Sequence, residues 1–235
     1  MHHVVCLFTA QLLINTRLVS YLEKLKLIMP IQSGFRKQCS TTDQLVRLET
    51  SVREAFVNKQ HAVAIFFDRE KAYDPTSKYG IMKDLFDVGL RGRLPIFIGN
   101  FLKDRQFQVR LATHLSTLFD QEMGVPQGSI LSVTLFALKI NSTSIVKAIC
   151  PNVECSLYVD NFLICYRSKH IHTIERHLQR NCLNKLQYRA DTNGFRFSPS
   201  KTVCIHFCRL LKPHADPQLS LNKPFIHGFK IVQGR

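Results

Sequence analysis

The sequence lacks several features that define whole classes of protein. It has no apolar stretch long enough to cross a bilayer: the apolar opening segment is interrupted at Asn15 and Arg17 and lacks the early Lys or Arg of a signal peptide. It shows no internal repeat and no low-complexity linker, and its eight cysteines include no CxxC pair. These absences argue against a membrane protein, a disordered chain and a disulfide framework.

The cysteines predict reduced, buried thiols in an intracellular protein, because several of them fall inside apolar stretches. The alternative is a zinc cluster of Cys204, His206, Cys208 and His214. The spacing of these four residues matches no common zinc finger, and Cys204 and His206 alternate along a predicted strand. The sequence therefore favours thiols that pack in the core.

Acidic residues are scarce relative to basic ones. The chain has 17 Asp and Glu against 32 Lys and Arg, which gives a formal net charge of +15. Because the basic residues are spread along the whole sequence, they favour a nucleic acid as partner, and a solvated basic surface is the alternative. With 235 residues and 45% hydrophobic content, the chain can bury a full core, as one domain with two or three subdomains.

The central feature of the sequence is an apolar run over residues 62–67 that ends at Asp68. Such a run predicts a strand buried on both faces, and Asp68 then lies where the strand leaves the core. That position suits a metal ligand, although a helix cap is the alternative. Residues 156–165 are predicted to form an apolar hairpin folded about Asp160 and Asn161, which places a second acid on a tight turn.

Hydrophobic spacing and turn residues predict the other elements. They are a helix over 12–28 stopped by Pro30, a helix from a Thr41/Gln44 capping box to about Asn58 with Leu45, Leu48, Val52 and Phe56 facing inward, helices over 75–88, 91–101 and 131–148, an antiparallel pair of 107–111 with 118–123, a basic amphipathic helix from 171 to the Asn193-Gly194 step, a strand over 203–207 and a weak hairpin over 219–228. A loop from Gly124 to Ser132 precedes the 131–148 helix, and its glycines allow a base or phosphate to approach the backbone.

Five motifs occur in order along the chain. They are Gln32-Ser-Gly-Phe-Arg36, Phe67-Asp-Arg-Glu-Lys-Ala-Tyr-Asp74, Gly124-Val-Pro-Gln-Gly-Ser-Ile-Leu-Ser132, Tyr158-Val-Asp-Asn161, and Asn193-Gly-Phe with Lys201-Thr202. From about Ile14 to the C-terminus, this ordered set resembles the reverse transcriptase domain of non-LTR (LINE-like, jockey-type) retrotransposons.

The resemblance implies an α+β, right-hand polymerase fold, with an antiparallel sheet in the palm, helical fingers and a missing thumb. It divides the chain into fingers at 1–60 and 76–122, palm at 61–75 and 123–212, and the start of the palm/thumb boundary at 213–235. On this division the chain is expected to be a partial domain, without endonuclease, thumb or RNase H segments.

The resemblance also implies a role for individual residues. Asp68 and Asp160 would hold two Mg²⁺ or Mn²⁺ ions, which activate the primer 3′-hydroxyl and neutralise the leaving pyrophosphate. Lys201 would be a third catalytic residue, donating a proton to pyrophosphate. Arg36 would grip the incoming triphosphate, since a guanidinium fork suits phosphate oxygens.

Three further residues belong to the nucleotide and template pocket by resemblance. Tyr73 would stack under the sugar and exclude a 2′-hydroxyl, and Gln127 and Gly128 would line the pocket. The implied partners are an RNA template, a DNA primer and deoxynucleoside triphosphates. The residues alone favour core packing for Tyr73 and a surface ion pair for Arg36.

The sequence departs from the family at several positions. Asn161 replaces the second aspartate of the hairpin, which keeps the turn but removes a charge that Mg²⁺ prefers. Ser132-Val133 replaces Ser-Pro, Asn141-Ser142 stands where an acid is usual, and there is no tryptophan. These departures predict a weakened polymerase. The alternatives are a catalytically inactive remnant that only binds nucleic acid, and a product that folds poorly.

Overall fold

The computed structural model of the chain describes residues 2–142, 152–209, 215–221 and 226–232. The helices and strands in chain order are α1 (His2–Lys24), α2 (Thr41–Val57), β1 (His61–Phe67), α3 (Lys78–Asp87), α4 (Arg93–Leu102), β2 (Gln106–Phe107), β3 (Arg110–Leu111), β4 (His114–Leu115), β5 (Phe119–Asp120), α5 (Ile130–Ser142), β6 (Glu154–Tyr158), β7 (Asn161–Ser168), α6 (Ile171–His177), a π-helical segment (Leu178–Leu183), α7 (Asn184–Thr192), β8 (Val203–Cys208) and β9 (His227–Val232). The chain divides into a first unit, Met1–Met29 with Lys71–Ser142, and a second unit, Pro30–Glu70 with Thr143–Arg235.

The second unit is built on a five-stranded sheet with the order β6-β7-β1-β8-β9. Neighbouring strands are antiparallel except for β8 and β9, which are parallel. The strands β6, β7, β1 and β8 are thus antiparallel, as expected, and β9, from the 213–235 segment, adds a parallel strand. The predicted hairpin over 219–228 is described only in part: Ile226 N donates to Leu219 O at 2.8 Å, and residues 222–225 lie outside the described part of the chain. From His227 the chain forms β9 beside β8.

Strand β1 is the centre of this sheet, as its apolar sequence predicted. All of its residues are buried except Phe66, because strands pair with it on both sides and side chains cover both faces. On one face, Ala62 and Ala64 pack against Val52 and Ala55 of α2. The small alanine side chains allow the helix to lie close to the sheet.

The N-cap of helix α2 lies one residue before the predicted cap, Thr41. Ser40 is the N-cap: its hydroxyl accepts a hydrogen bond from Asp43 N, and Asp43 Oδ2 accepts one from Ser40 N at 2.7 Å. The Ser-x-x-Asp pattern at 40–43 thus replaces Thr41/Gln44 as the reciprocal cap. The buried face changes accordingly, because Gln44 is buried while Leu45 is 63% exposed.

The predicted amphipathic helix after residue 171 is confirmed, with a π-helical segment in its middle. Its buried positions include Ile174, Leu178, Leu183 and Leu186. The step from Leu178 to Leu183 is five residues, which exceeds one α-helical turn. The wider π turn keeps both leucines on the buried face.

The core of the first unit is a helical cluster. Buried residues from α1, α3, α4 and α5 form it: Leu18, Leu22, Ile81, Leu85, Ile98, Leu102, Leu131, Leu135 and Leu138. Inside this cluster Lys139 Nζ lies 3.2 Å from Asp84 Oδ2, so the buried carboxylate has a cationic partner. The predicted helices over 75–88 and 91–101 are confirmed, although α3 begins only after its Ser77 cap.

Helix α1 is longer at its start and shorter at its end than the predicted helix over 12–28. It ends at Lys24 rather than at Pro30, since Lys26 adopts a left-handed backbone conformation with φ +53°. Asn141 holds the segment that follows: its Oδ1 accepts a hydrogen bond from Met29 N at 2.9 Å, and its Nδ2 donates to Leu27 O. Of the predicted 131–148 helix, residues 143–148 lie outside the described part of the chain.

The segment from Gln106 to Asp120 forms two short antiparallel pairs. Phe107 pairs with Phe119, as the sequence predicted, but Arg110 and Leu111 pair with His114 and Leu115 instead of with the later strand. None of the helices among the described residues is both long and apolar enough to cross a membrane. The described cysteines are all outside disulfides, as predicted, and four of them are buried.

Candidate active site

Asp68 follows directly after β1, and its backbone is held by a second segment of the second unit. Ser198 N donates a hydrogen bond to Asp68 O at 2.8 Å, and Glu70 N donates to Arg196 O at 3.0 Å. These bonds pair residues 68–70 with residues 196–198 in the antiparallel direction. The position of Asp68 is therefore fixed by the sheet, as its place at the end of a buried strand predicted.

The Asp68 carboxylate lies next to Lys201. Lys201 Nζ is 3.4 Å from Asp68 Oδ2, and the two side chains are 71% and 30% exposed. Asp68 Oδ2 is shielded from water and accepts no hydrogen bond among the described residues. A shielded carboxylate oxygen without a hydrogen bond is well suited to bind a cation, so this residue fits a divalent metal.

Asp160 lies on the two-residue turn between β6 and β7. Tyr158 and Asn161 form the last pair of the hairpin, so the turn consists of Val159 and Asp160 rather than of Asp160 and Asn161. Strand β7 is the antiparallel neighbour of β1, with Phe162 opposite Phe67. The end of β1 and the hairpin turn therefore lie at the same end of the sheet. This places Asp68 and Asp160 at that end.

The turn is held by the buried side chain of Gln32. Gln32 Nε2 donates to Val159 O at 3.2 Å, and Val159 N donates to Gln32 Oε1 at 3.0 Å. Val159 has φ +61°, which is costly for a β-branched residue, so the turn needs such support. Gly34 lies against the same residue, and a Cβ at position 34 would overlap Val159 N.

Asn161 is the first residue of β7 and keeps a strand position. Its Nδ2 lies 3.5 Å from Asp160 Oδ1, at the outer limit of a hydrogen bond. An amide at this position offers one neutral oxygen, where the resemblance leads us to expect a carboxylate. The hairpin shape is preserved, as the sequence predicted, while the anionic charge at the edge is reduced.

Arg69 is an unexpected residue at this end of the sheet. In the sequence it belongs to a charged run, yet it is only 7% exposed, and its Cζ lies 4.1 Å from the centroid of the Phe195 ring. Its Nε and Nη2 atoms are buried and have no hydrogen-bond partner among the described residues. Burial lowers the pKa of the guanidinium to about 10, and the Asp160 carboxylate partly opposes that shift. Arg69 is therefore a buried cation beside a proposed metal ligand.

Arg36 also belongs to the second unit. Its Nη1 donates to the carbonyl oxygen of Gln32 at 3.0 Å, and its side chain is partly exposed. This bond joins Arg36 to the residue that holds the hairpin turn. The second unit thus contains four of the predicted site residues: Asp68, Asp160, Lys201 and Arg36.

The other three predicted site residues belong to the first unit. The Tyr73 ring stacks on Phe136 with ring centroids 4.3 Å apart, and it packs against the helical core. Gln127 and Gly128 are exposed on a tight turn in which Gly128 has φ +86°, and an added Cβ at Gly128 would meet nothing within 4 Å. This turn of the first unit therefore leaves space for a ligand to approach its backbone.

Gly124 connects this loop to the Tyr73 segment. Gly124 N donates to Thr76 O at 2.8 Å, and an added Cβ would lie 3.1 Å from Asp74 O. With φ +88° as well, Gly124 has a backbone conformation and an environment that other residues fit poorly. Of the two loop glycines, Gly124 thus contacts the protein's own backbone, whereas Gly128 leaves space for a ligand.

Sequence reasoning missed the roles of Gln32, Gly34 and Arg69. Gln32 and Gly34 were part of a recognised motif, but no periodicity or spacing linked them to a hairpin more than a hundred residues away. Arg69 stands among charged neighbours, which is the usual signature of an exposed segment. Only the apolar Phe195 and Phe197, far along the chain, gave any signal that this segment would be covered.

The chain is similar to a known family over most of its length. Residues 4–223 match the family model described as reverse transcriptase (RNA-dependent DNA polymerase). The RNA-directed DNA polymerase from mobile element jockey of Drosophila melanogaster is 30% identical over 217 residues, which cover 89% of this chain and 23% of that protein. The probable RNA-directed DNA polymerase from transposon BS of the same organism is 30% identical over 179 residues, 71% of this chain and 19% of that protein. The chain thus spans less than a quarter of the length of these relatives.

Solved structures with the same fold include two telomerases. That of Candida albicans in complex with a TWJ fragment of telomeric RNA has a TM-score of 0.61 and 14% identity, over 91% of this chain and 36% of that one. The corresponding complex from Candida tropicalis has a TM-score of 0.58 and 16% identity, over 82% of this chain and 33% of that one. At these identities the likeness concerns the fold alone. The family match and the Drosophila relatives show that the chain belongs to the reverse transcriptase family, among the domains of non-LTR retrotransposons.

Proposed function

We propose that the chain catalyses RNA-directed DNA synthesis, the transfer of a deoxynucleotide to a DNA primer 3′-hydroxyl on an RNA template. The observation that carries this proposal is the pair of acids at one sheet edge. Asp68 ends β1, Asp160 lies on the turn before the adjacent β7, and the shielded Asp68 Oδ2 accepts no hydrogen bond among the described residues. The names of the Drosophila relatives support the same reaction class.

Asp68 and Asp160 are the proposed ligands of Mg²⁺ or Mn²⁺. When bound, such ions lower the pKa of an attacking hydroxyl and neutralise the charge of a leaving pyrophosphate. Asp68 is held by the backbone bond from Ser198, and Asp160 by the turn that Gln32 supports. Ligands fixed in this way do not have to be ordered when the substrate binds.

Lys201 and Arg36 are the proposed phosphate contacts of the second unit. Lys201 already lies beside Asp68, so its ammonium can neutralise or protonate a leaving group at that edge. Arg36 uses Nη1 for the Gln32 carbonyl and is partly exposed, which lets its guanidinium orient towards a triphosphate. In the first unit, Tyr73, Gln127 and Gly128 are proposed to select the sugar and line the template pocket.

The nucleic-acid partners follow from charge. A net charge of +15 favours a polyanion, and an RNA template with a DNA primer is the partner that the reaction requires. In this proposal β1 and β6 to β8 belong to the palm and α1 to α4 belong to the fingers, in an intracellular enzyme. The residue divisions expected from the resemblance remain predictions.

A second candidate function is nucleic-acid binding without catalysis. Two residues favour it: Asn161 removes one carboxylate from the hairpin, and the buried Arg69 guanidinium adds a positive charge near Asp160. Both changes oppose the binding of divalent cations. The basic residues that would hold nucleic acid are unaffected by either.

Primer extension on an RNA template, with deoxynucleotides and Mg²⁺ or Mn²⁺, tests the two functions. We expect extension by the natural chain, faster extension after Asn161→Asp, and none after Asp68→Ala. Extension only after Asn161→Asp would favour the binding function for the natural chain. Salt-sensitive primer-template binding with no extension by any variant would overturn the polymerase proposal.

A further inference from the structure

Two histidines and a cysteine cluster at the end of the sheet that is remote from Asp68. His61 begins β1, whereas Asp68 follows its last residue, and His206 and Cys208 alternate on β8. Because β1 and β8 are antiparallel neighbours with Val63 opposite His206, the register continues to place His61 opposite Cys208. All three side chains therefore lie on one face of the sheet.

The three side chains are buried and close together. They are 4%, 1% and 0% exposed for His61, His206 and Cys208 respectively. One nitrogen of each histidine and the cysteine sulfur all lie within 4.8 Å of one another, and the nearest pair, His61 Nδ1 and His206 Nε2, is 3.0 Å apart. In a tetrahedral zinc site, bond lengths near 2.1 and 2.3 Å place such atoms roughly 3.3 to 3.8 Å apart. The cluster needs a side-chain adjustment of about 1 Å to match that spacing.

Asp216 orients one of the histidines. Its Oδ1 lies 2.8 Å from His206 Nδ1. A carboxylate at that distance keeps the proton on Nδ1 and leaves the Nε2 lone pair directed at the cluster. This carboxylate, histidine and metal arrangement is common around zinc, where the carboxylate fixes the ring and raises its basicity.

We propose that His61, His206 and Cys208 form a zinc site that joins β1 to β8. Imidazole and thiolate are ligands that Zn²⁺ prefers, whereas Mg²⁺ prefers carboxylates and water. This site and the proposed site at Asp68 would therefore select different ions. Three protein ligands leave one coordination position for water or another donor. The ion would link the start of β1 to the end of β8.

The proposed ligand set differs from the zinc cluster that was the disfavoured alternative in the sequence. His61 comes from a distant strand, and Cys204, which also faces this side of β8, is not among the three clustered residues. His214, the fourth residue of the sequence-based cluster, lies outside the described part of the chain. Without a metal, the same histidines can form a hydrogen-bonded chain from His61 through His206 to Asp216, and the experiment must separate the two states.

Metal analysis of the purified chain provides the test. After expression with added zinc and dialysis against metal-free buffer, we expect about one zinc per chain. Replacement of zinc by Co²⁺ is expected to give the near-ultraviolet charge-transfer band of a thiolate-bound cobalt ion. We expect Cys208→Ser to lose this band and most of the zinc, and Asp216→Asn to weaken zinc binding about 10- to 100-fold.

Cys204→Ser is the matched control, because it removes another buried thiol from the same face of β8. We expect Cys204→Ser to keep the zinc and the cobalt band. Asp68→Ala is expected to keep both as well, because the zinc site is separate from the proposed active site. A chain that holds no zinc and shows no cobalt band would overturn the proposal, and so would a folded Cys208→Ser variant that retains both. If Cys208→Ser does not fold, the cobalt spectrum of the natural chain decides.

Discussion

Gln32 and Val159 are joined by a pair of hydrogen bonds across 127 residues of chain. The Gln32 amide donates to the Val159 carbonyl at 3.2 Å and accepts from the Val159 amide at 3.0 Å. Gln32 also accepts from Gly34 N at 2.9 Å, so one buried side chain links its own segment to the turn that carries Asp160. The position of a proposed metal ligand therefore depends on a residue that contacts no metal.

The first prediction concerns this amide. Gln32→Ala leaves the polar groups of a strained turn without their partners, so we expect a loss of about 2 to 4 kcal/mol in the free energy of unfolding. We also expect extension activity to fall at least tenfold, because Asp160 is no longer fixed. Urea unfolding and primer extension measure the two effects.

Gln179→Ala is the matched control for this prediction. Gln179 makes the same pair of bonds to Ser220, with its Nε2 donating to Ser220 O at 3.2 Å and its Oε1 accepting from Ser220 N at 2.9 Å. We expect a loss of stability with little change in extension per folded molecule. An equal fall in activity for both variants would show that Gln32 acts through global stability alone.

Gly34→Ala gives a second prediction about the same turn. The added methyl group would overlap Val159 backbone, which cannot move without displacing the hairpin, so we expect a cost of more than about 2 kcal/mol. Gly99→Ala in α4 is the control, because its Cβ would meet only Met82 Cε at 3.6 Å and alanine favours a helix. Thermal unfolding should show a lower Tm for the first variant and an unchanged or higher Tm for the second.

Arg69→Leu tests the buried cation. Removing a positive charge near Asp160 is expected to tighten Mn²⁺ binding about three- to tenfold. Stability should stay level or increase, because the guanidinium is buried with two nitrogens that have no hydrogen-bond partner among the described residues. Mn²⁺ titration followed by electron paramagnetic resonance measures the affinity directly.

Arg91→Leu is the control for charge alone. Arg91 also stacks on an aromatic ring, with Cζ 3.7 Å from the Phe86 centroid, but it is exposed in the first unit. We expect no change in Mn²⁺ affinity for this variant. Equal tightening in both variants would mean that net charge, rather than the position of Arg69, sets the affinity.

Cys165 gives a prediction about pH. Burial raises the pKa of its thiol to about 11, a shift that the hydrogen bond with Ser51 partly opposes and the charge of Glu154 reinforces. Because the folded pKa lies above the unfolded one, the neutral thiol contributes its full stability below the ordinary thiol pKa of 9.0, and the contribution is lost as the pH rises towards 11.

Between about pH 8 and pH 10 we expect Cys165 to account for a loss of about 1 kcal/mol in the free energy of unfolding. Urea unfolding of the natural chain and of Cys165→Ala at both pH values measures this contribution. It equals the change in unfolding free energy with pH of the natural chain minus that of the variant. Cys39→Ala is the control, since that cysteine is exposed. Identical pH dependence in the natural chain and Cys165→Ala would contradict the prediction.

The sequence by itself determined the elements whose signals are local. The apolar run before Asp68 predicted the buried β1, and the apolar segment around Asp160 predicted the hairpin, because strand burial and turn formation depend on neighbouring residues. The ordered motifs predicted the family, which the comparisons confirmed. Boundaries were less accurate: the Ser40 cap and the Val159-Asp160 turn each differ by one residue from the prediction, since adjacent residues offered nearly equivalent chemistry.

Tertiary structure alone decided which distant groups meet. Three contacts join residues more than a hundred positions apart. They are the hydrogen bonds of Gln32 with Val159, the packing of Arg69 against Phe195, and the close approach of His61 to His206. Their energies arise from desolvation and from precise hydrogen-bond geometry, neither of which leaves a periodic trace in the sequence. The fold therefore determines how firmly Asp160 is held and which side chains meet at each end of the sheet.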